Sequence, residues 1–216
     1  ELKPDYLLAY NNLGNIYYKL KNFNDAEASY RKGLKLSPDY ALLHYNLANT
    51  LHTLDKFEQA ILSYRKAIEL KPSYTEAYCN LGVSLKELNK LDEAEISFRK
   101  AIDLNPNYFV AYNNLGTALQ DLGQLEEAIK VYKKAIDLNP KYIEAYNNLG
   151  VILQDLGRVD EATANYEKVI ELNPTYTTTQ ENKSLMLREN EILSKILKLR
   201  IRDKKKKNYF TNSDKL

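Results

Sequence analysis

Five asparagines stand 34 residues apart, at Asn12, Asn46, Asn80, Asn114 and Asn148. A carboxamide offers both an N–H donor and a carbonyl acceptor, and asparagine is a mediocre helix former. A row of such groups on one face could hydrogen-bond the backbone of an extended peptide with little regard for its side chains. The competing reading is local, with the amides bonding inside the array and stabilising it. More polar groups keep the same period beside the row: Asn11, Asn15, Tyr45, Asn49, Asn113 and Asn147.

Groups suited to covalent or acid–base chemistry are scarce. His44 and His52 are the only histidines, and Cys79 is the only cysteine. No glycine-rich phosphate loop, no His/Cys metal spacing and no Gly-x-Ser-x-Gly motif occurs. The acid pairs Asp92-Glu93 and Glu126-Glu127 fall at expected helix starts, where carboxylates favour the helix dipole. No catalytic residue, metal or cofactor is expected, and the chain does not read as an enzyme. A lone cysteine provides no disulfide framework, which is consistent with a reducing compartment.

The elements that carry the row follow from its punctuation. All six prolines, Pro4, Pro38, Pro72, Pro106, Pro140 and Pro174, keep the 34-residue interval, and a tyrosine follows each one two residues later. One structural unit is therefore copied in tandem. Counting position 1 as the third residue after each proline, the asparagines occupy position 6. Position 8 holds Gly14, Ala48, Gly82, Gly116 and Gly150, position 20 holds alanine throughout, and position 24 holds Tyr30, Tyr64, Phe98, Tyr132 and Tyr166. Tyr112, Leu115, Leu119 and Leu122 follow helical spacing, and Leu125, Ala128, Ile129, Tyr132, Ala135 and Ile136 continue it in a second segment. Gly123 lies between the segments, matched by Gly157, Asn89 and Asp55, residue types that tolerate the left-handed conformation ending a helix. Proline then stops the second helix. Glycine inside a helix costs about 1 kcal/mol against alanine, so position 8 is expected to mark close approach of two helices, with the position 20 alanine facing it.

The pattern of aromatic, Leu and Gly at positions 4, 7 and 8, Ala at 20, aromatic at 24, Ala at 27 and Pro at 32 resembles the tetratricopeptide repeat over residues 1–174. His44 at position 4, and Gly33 and Val169 at position 27, are departures. The resemblance implies an all-α, right-handed superhelical solenoid of five helix-turn-helix repeats, whose first helices line a concave groove. Positions 2, 5, 6, 9, 12 and 13 would then face the groove, and the position 6 row resembles the asparagine ladder in the repeat domain of O-linked N-acetylglucosamine transferase. The first two units would present Leu8, Asn11, Asn15, Tyr18, Leu42, Tyr45, Asn49 and His52. The later ones would present Glu76, Glu87, Asp121, Glu144 and Asp155, with Lys86 the nearby cation. That gradient suits a ligand with an apolar anchor and basic residues further along. Positions 2 and 5 hold no basic residue, which argues against a clamp for acidic chaperone tails.

The expected organisation is an array over residues 1–174, with residues 1–6 ending a preceding repeat and units at 7–40, 41–74, 75–108, 109–142 and 143–176. A capping helix at 177–203 and a basic, disordered tail at 204–216 are expected to follow. Glu1-Leu2-Lys3-Pro4 reads like the end of an internal unit, so the chain is expected to continue upstream. Residues 175–216 carry eleven basic and five acidic residues, leaving twenty and twenty-four of the chain's 31 and 29 for residues 1–174. An acidic array thus joins a basic tail. Lys204–Lys207 without interleaved aromatics makes nucleic acid the weaker choice of partner. A protein or extended peptide is the expected partner, with self-association through the terminal helix an alternative. A recognition arm of a larger enzyme, such as a glycosyltransferase with its catalytic domain elsewhere, is the second functional reading. No bilayer-length apolar run or signal segment is visible, and a cytoplasmic location is expected.

Overall fold

Each 34-residue unit forms two helices because its apolar residues return every three or four positions and its breakers sit between and after them. The computed structural model describes residues 4–175, and side chains over 6–175. The first helices of the five pairs are α1 (Pro4–Lys19), α3 (Ala41–Thr53), α5 (Thr75–Glu87), α7 (Phe109–Asp121) and α9 (Ile143–Asp155). Their partners are α2 (Phe23–Leu36), α4 (Phe57–Leu70), α6 (Leu91–Leu104), α8 (Leu125–Leu138) and α10 (Val159–Leu172). The expected capping helix at 177–203 and the basic tail at 204–216 lie outside the described residues. The fold is an all-α repeat solenoid, and it divides into two compact units, Glu1–Pro140 with four helix pairs and Lys141–Leu216 with the fifth.

The turn inside every pair has one geometry. Lys21, Asp55, Asn89, Gly123 and Gly157 all adopt positive φ, between 56° and 76°. The residue after each one donates its N–H back to the first helix, as Lys56 does to the Leu51 carbonyl at 2.9 Å and Gln124 to that of Leu119 at 2.8 Å. This is the six-to-one bond of a left-handed helix stop. Lys21 is a residue type the sequence offers no reason to place there, and a side chain in that conformation costs roughly 1–2 kcal/mol. The second helices end as their prolines require. Ser37, Asn105 and Asn139 are extended, with φ near −140°, immediately before Pro38, Pro106 and Pro140.

The core repeats with the unit. Ala26, Ala60, Ala94, Ala128 and Ala162 are fully buried, and each position 24 ring is at most 2% exposed. Burying one such ring contributes roughly 1.5–3 kcal/mol. The atoms nearest the position 8 glycine belong to the position 24 ring and not to the expected alanine. A Cβ on Gly14, Gly82, Gly116 or Gly150 would lie 2.4–2.6 Å from the position 24 ring of its own pair. The ring lies against the first helix, and glycine leaves it the room.

Within Glu1–Pro140, α2, α4 and α6 each also pack on the next first helix. The successive first helices α1, α3, α5 and α7 touch one another directly, whereas no second helix reaches the next second helix closely enough for backbone contact among the described residues. The first helices therefore form the inner, more tightly spaced face of this unit.

Candidate functional site

The inner face carries the asparagine row, and the hydrogen bonds explain how it is held. Asn46 Nδ2 donates to Asn11 Oδ1 at 2.9 Å and to Asn15 Oδ1 at 3.4 Å, across from α3 to α1. Asn80 Nδ2 repeats this one unit later, donating to the Tyr45 hydroxyl at 3.2 Å and Asn49 Oδ1 at 3.0 Å. Asn114 Nδ2 approaches Cys79 Sγ at 3.5 Å. Each position 6 amide in this series thus turns its N–H side toward position 5 of the preceding unit, and Asn46 and Asn80 reach position 9 as well. Their carbonyl oxygens take no hydrogen bond among the described residues, and the side chains are half-buried.

The row is braced from beneath by the position 24 tyrosines. The Tyr30 hydroxyl donates to Asn15 Oδ1 at 2.7 Å, and that of Tyr64 to Asn49 Oδ1 at 2.6 Å. Tyr132 reaches Gln120 Oε1 at 3.3 Å instead. In Lys141–Leu216, Tyr166 reaches Gln154 Oε1 at 2.9 Å. The third unit has Phe98 with no hydroxyl, and its position 9 is Val83. A buried hydroxyl needs a partner, so the aromatic and the polar residue above it change together along the chain.

The other expected site residues fall into distinct settings. Asn12 is exposed, while Asn11 and Asn113 are each 6% exposed and lie behind the row. Asn15, Tyr45 and Asn49 are half-buried members of the network just described. In Lys141–Leu216, Asn147 and Asn148 are half-buried on α9. Cys79 is 1% exposed, and burial pushes its thiol up to about 11, so it stays protonated and unreactive near neutrality. His44 Nε2 lies 2.7 Å from the Pro38 carbonyl, a contact that ties the start of α3 to the preceding turn.

A cavity of about 290 Å³ opens among these groups in Glu1–Pro140. Tyr18 of α1, Asn49, His52 and Thr53 of α3, Tyr64 of α4, and Asn80 and Val83 of α5 line it. Sequence reasoning placed Tyr18, Asn49, His52 and Asn80 toward a groove, and its groove positions 13 and 9 include Thr53 and Val83, but it passed over Tyr64. Tyr64 comes from a second helix and reads as pure core, yet its pairing with Asn49, against Phe98 with Val83, was a usable signal. His52 is held between α4 and α5: its ring meets Phe57 edge-on with centroids 5.2 Å apart, and Nδ1 lies 2.9 Å from Ser84 Oγ. Burial lowers the His52 pKa, against the opposing pull of the Glu87 and Asp55 carboxylates.

Further along the inner face of this unit Glu76, Glu87 and Asp121 are exposed. Lys86 is engaged by Asp121 at 3.5 Å. Among the described residues no cluster of three His, Cys, Asp or Glu side chains could hold a metal ion, and no helix is long and apolar enough to cross a membrane.

Family profiles match the repeated sequence along the whole array. A TPR repeat profile covers residues 54–89 and 118–157, and two tetratricopeptide repeat profiles cover 8–40, 75–108 and 143–176, and 29–61 and 97–130. Together they run from residue 8 to residue 176 without a break. The chain belongs to the tetratricopeptide repeat family. Among solved structures, this repeat protein is similar to MamA, at 27% identity and a TM-score of 0.71, over 82% of this chain and 96% of that one. PilW, described as a widely conserved type IV pilus biogenesis factor, is 25% identical with a TM-score of 0.71 over 77% of each chain. YrrB, described as a TPR protein with an unusual peptide-binding site, is 23% identical with a TM-score of 0.67, over 81% of this chain and 90% of that one. At that identity the likeness to YrrB concerns the fold. None of the curated proteins matches the chain.

Proposed function

We propose that this tetratricopeptide repeat chain is a protein-interaction scaffold whose inner face binds an extended peptide along the asparagine row. The observation that carries the reading is the shared orientation of Asn46, Asn80 and Asn114, whose amide nitrogens all turn to the preceding unit. Their carbonyl oxygens are left as repeated acceptors at the surface of the first helices. An extended peptide presents backbone N–H donors at regular intervals, so a series of fixed acceptors could bind it largely without regard to sequence. Because the internal bonds already hold the amides, little side-chain entropy would be lost on binding. The exposed Glu76, Glu87 and Asp121 favour a ligand that carries positive charge.

The test uses peptides selected from a random display library on the full chain. Methylating alternate backbone nitrogens of a selected peptide should weaken binding at least tenfold, because each methyl removes one donor. An Asn46/Asn80/Asn114→Ala variant, checked by circular dichroism for retained helix, should show the same loss. Undiminished binding by the methylated peptide and by the folded variant would remove the row from the recognition mechanism.

A further inference from the structure

The cavity between α1, α3 and α5 has a polarity that follows from counting its hydrogens. Thr53 Oγ1 donates to the Asn49 carbonyl at 2.9 Å, so the Tyr18 hydroxyl, 3.1 Å away, must donate to Thr53. Ser84 Oγ likewise donates to the Asn80 carbonyl at 3.1 Å. It therefore offers His52 Nδ1 only lone pairs at 2.9 Å, which puts the imidazole proton on Nδ1 and leaves Nε2 an acceptor. The Tyr64 hydroxyl spends its hydrogen on Asn49 Oδ1, and Asn80 spends both of its N–H groups on Asn49 and Tyr45. The acceptors left on the lining side chains are Asn80 Oδ1, His52 Nε2 and the Tyr18 hydroxyl oxygen. The Asn49 amide nitrogen is the remaining side-chain donor of the lining amides. No charged side chain lines the cavity. The charges acting on His52 are the carboxylates of Asp55 and Glu87.

We infer that this cavity receives a lysine or arginine side chain of the bound peptide, a step that rests on reading the inner face as a peptide site. A lysine ammonium offers three donors and a guanidinium five, with no acceptor on either, which complements a lining rich in lone pairs. The carboxylates that act on His52 also steer positive charge toward the cavity. A carboxylate or phosphate would meet lone pairs with lone pairs. An aliphatic side chain would cover those acceptors without bonding them, which costs free energy for each one desolvated. At about 290 Å³ the cavity lies at the lower edge of small-ligand sites, room for one side chain. The cation can come from another protein or from this chain's own Lys204–Lys207.

The test titrates the full chain with acetyl-arginine N-methylamide, its lysine counterpart and the uncharged citrulline isostere. The side-chain amide signals of Asn49 and Asn80 are followed by nuclear magnetic resonance. Arginine and lysine should give saturable shifts, with citrulline at least tenfold weaker. Val83→Phe, which fills the cavity, should abolish the shifts; the citrulline comparison needs no variant and decides the matter even if Val83→Phe fails to fold. Citrulline binding as tightly as arginine, or arginine shifts unchanged in folded Val83→Phe, would overturn the inference. Extended peptides that bind through the amide row but gain nothing from a basic residue would sink the pocket and leave the groove standing. Arginine-specific shifts without any extended peptide binding would do the reverse. Tighter arginine binding after Lys204–Lys207→Ala would support the pocket and name the chain's own lysines as its competing occupant.

Discussion

The inner and outer faces of residues 4–140 solve the same joining problem with different chemistry. On the inner face, neighbouring first helices touch, and short neutral amides such as Asn46 and Asn80 bridge them at 2.9–3.2 Å. On the outer face the second helices stand too far apart for backbone contact, and long side chains span the gap. Arg65 reaches Glu93 at 2.7 Å and Arg99 reaches Glu127 at 2.6 Å, each 28 residues on. Arg31 meets Gln59 in the same register, while Lys56 and Arg31 converge on Glu27. Burial alone would raise the Glu27 pKa, but the hydrogen bonds from Lys56 and Arg31 outweigh it and hold the carboxyl below its usual value. The difference teaches where specificity can reside. Half-buried neutral bonds fix atoms in place and resist salt, whereas exposed ion pairs are screened and contribute little each.

Both faces presuppose the ring wedged between the paired helices, so the largest effect is expected there. Gly116→Val places atoms where the Tyr132 ring already stands, 2.5 Å from a Cβ at that position. It should cost about 3 kcal/mol, at the upper end of overpacking penalties, read as a shift in the urea midpoint. A change under about 0.5 kcal/mol, the range of ordinary surface substitutions, would mean the ring moves freely and the inner face is softer than described. Asn80→Ala removes two donated bonds and leaves Asn49 Oδ1 and the Tyr45 hydroxyl short of a partner. A loss of roughly 1–2 kcal/mol is expected, with the same value at low and high salt.

The acid side of the stability profile sharpens the comparison further. Burial holds the folded-state His52 pKa below its unfolded value of about 6.5, so the fold favours the neutral ring. This contribution is fully present above that unfolded value and is lost as pH falls through the lower folded value. Thermal melts should therefore show a steeper acid-side decline in the wild type than in His52→Gln. Parallel profiles would show that the ring is indifferent to its charge. The smallest effect belongs to the outer face. Arg65 and Glu93 have side chains about half exposed, and Arg65→Ala should cost about 0.5 kcal/mol or less. That cost should disappear in molar salt, where screening acts within about 3 Å. If Arg65→Ala proves costlier than Asn80→Ala, the ranking of the two faces is reversed.

Much of the fold was legible in the residues. The 34-residue proline interval and the helical spacing of apolar positions located every described helix pair, and Gly123, Gly157, Asn89 and Asp55 marked four of the five left-handed turns. Lys21 escaped because nothing about lysine favours that conformation; the surrounding helices impose it. The cost of a position 8 glycine was visible, but its cause was misassigned to an alanine when the neighbour is a ring. The candidate site was less legible. Position 6 stood out as a row, yet the direction of each amide was not encoded in its spacing. Asn11 and Asn113 share the row's period and are buried behind it.

The sequence by itself determined the repeat, because local periodicity and chain breakers act through near-neighbour sterics and need no distant partner. It also determined which side chains face alike, since identical units place identical positions on one side. Tertiary structure alone decided which end of each carboxamide is spent and which is offered. That choice depends on atoms 31 and 35 residues away, in the preceding unit. The proton on His52 is settled the same way, by Ser84, whose own hydrogen is committed to Asn80.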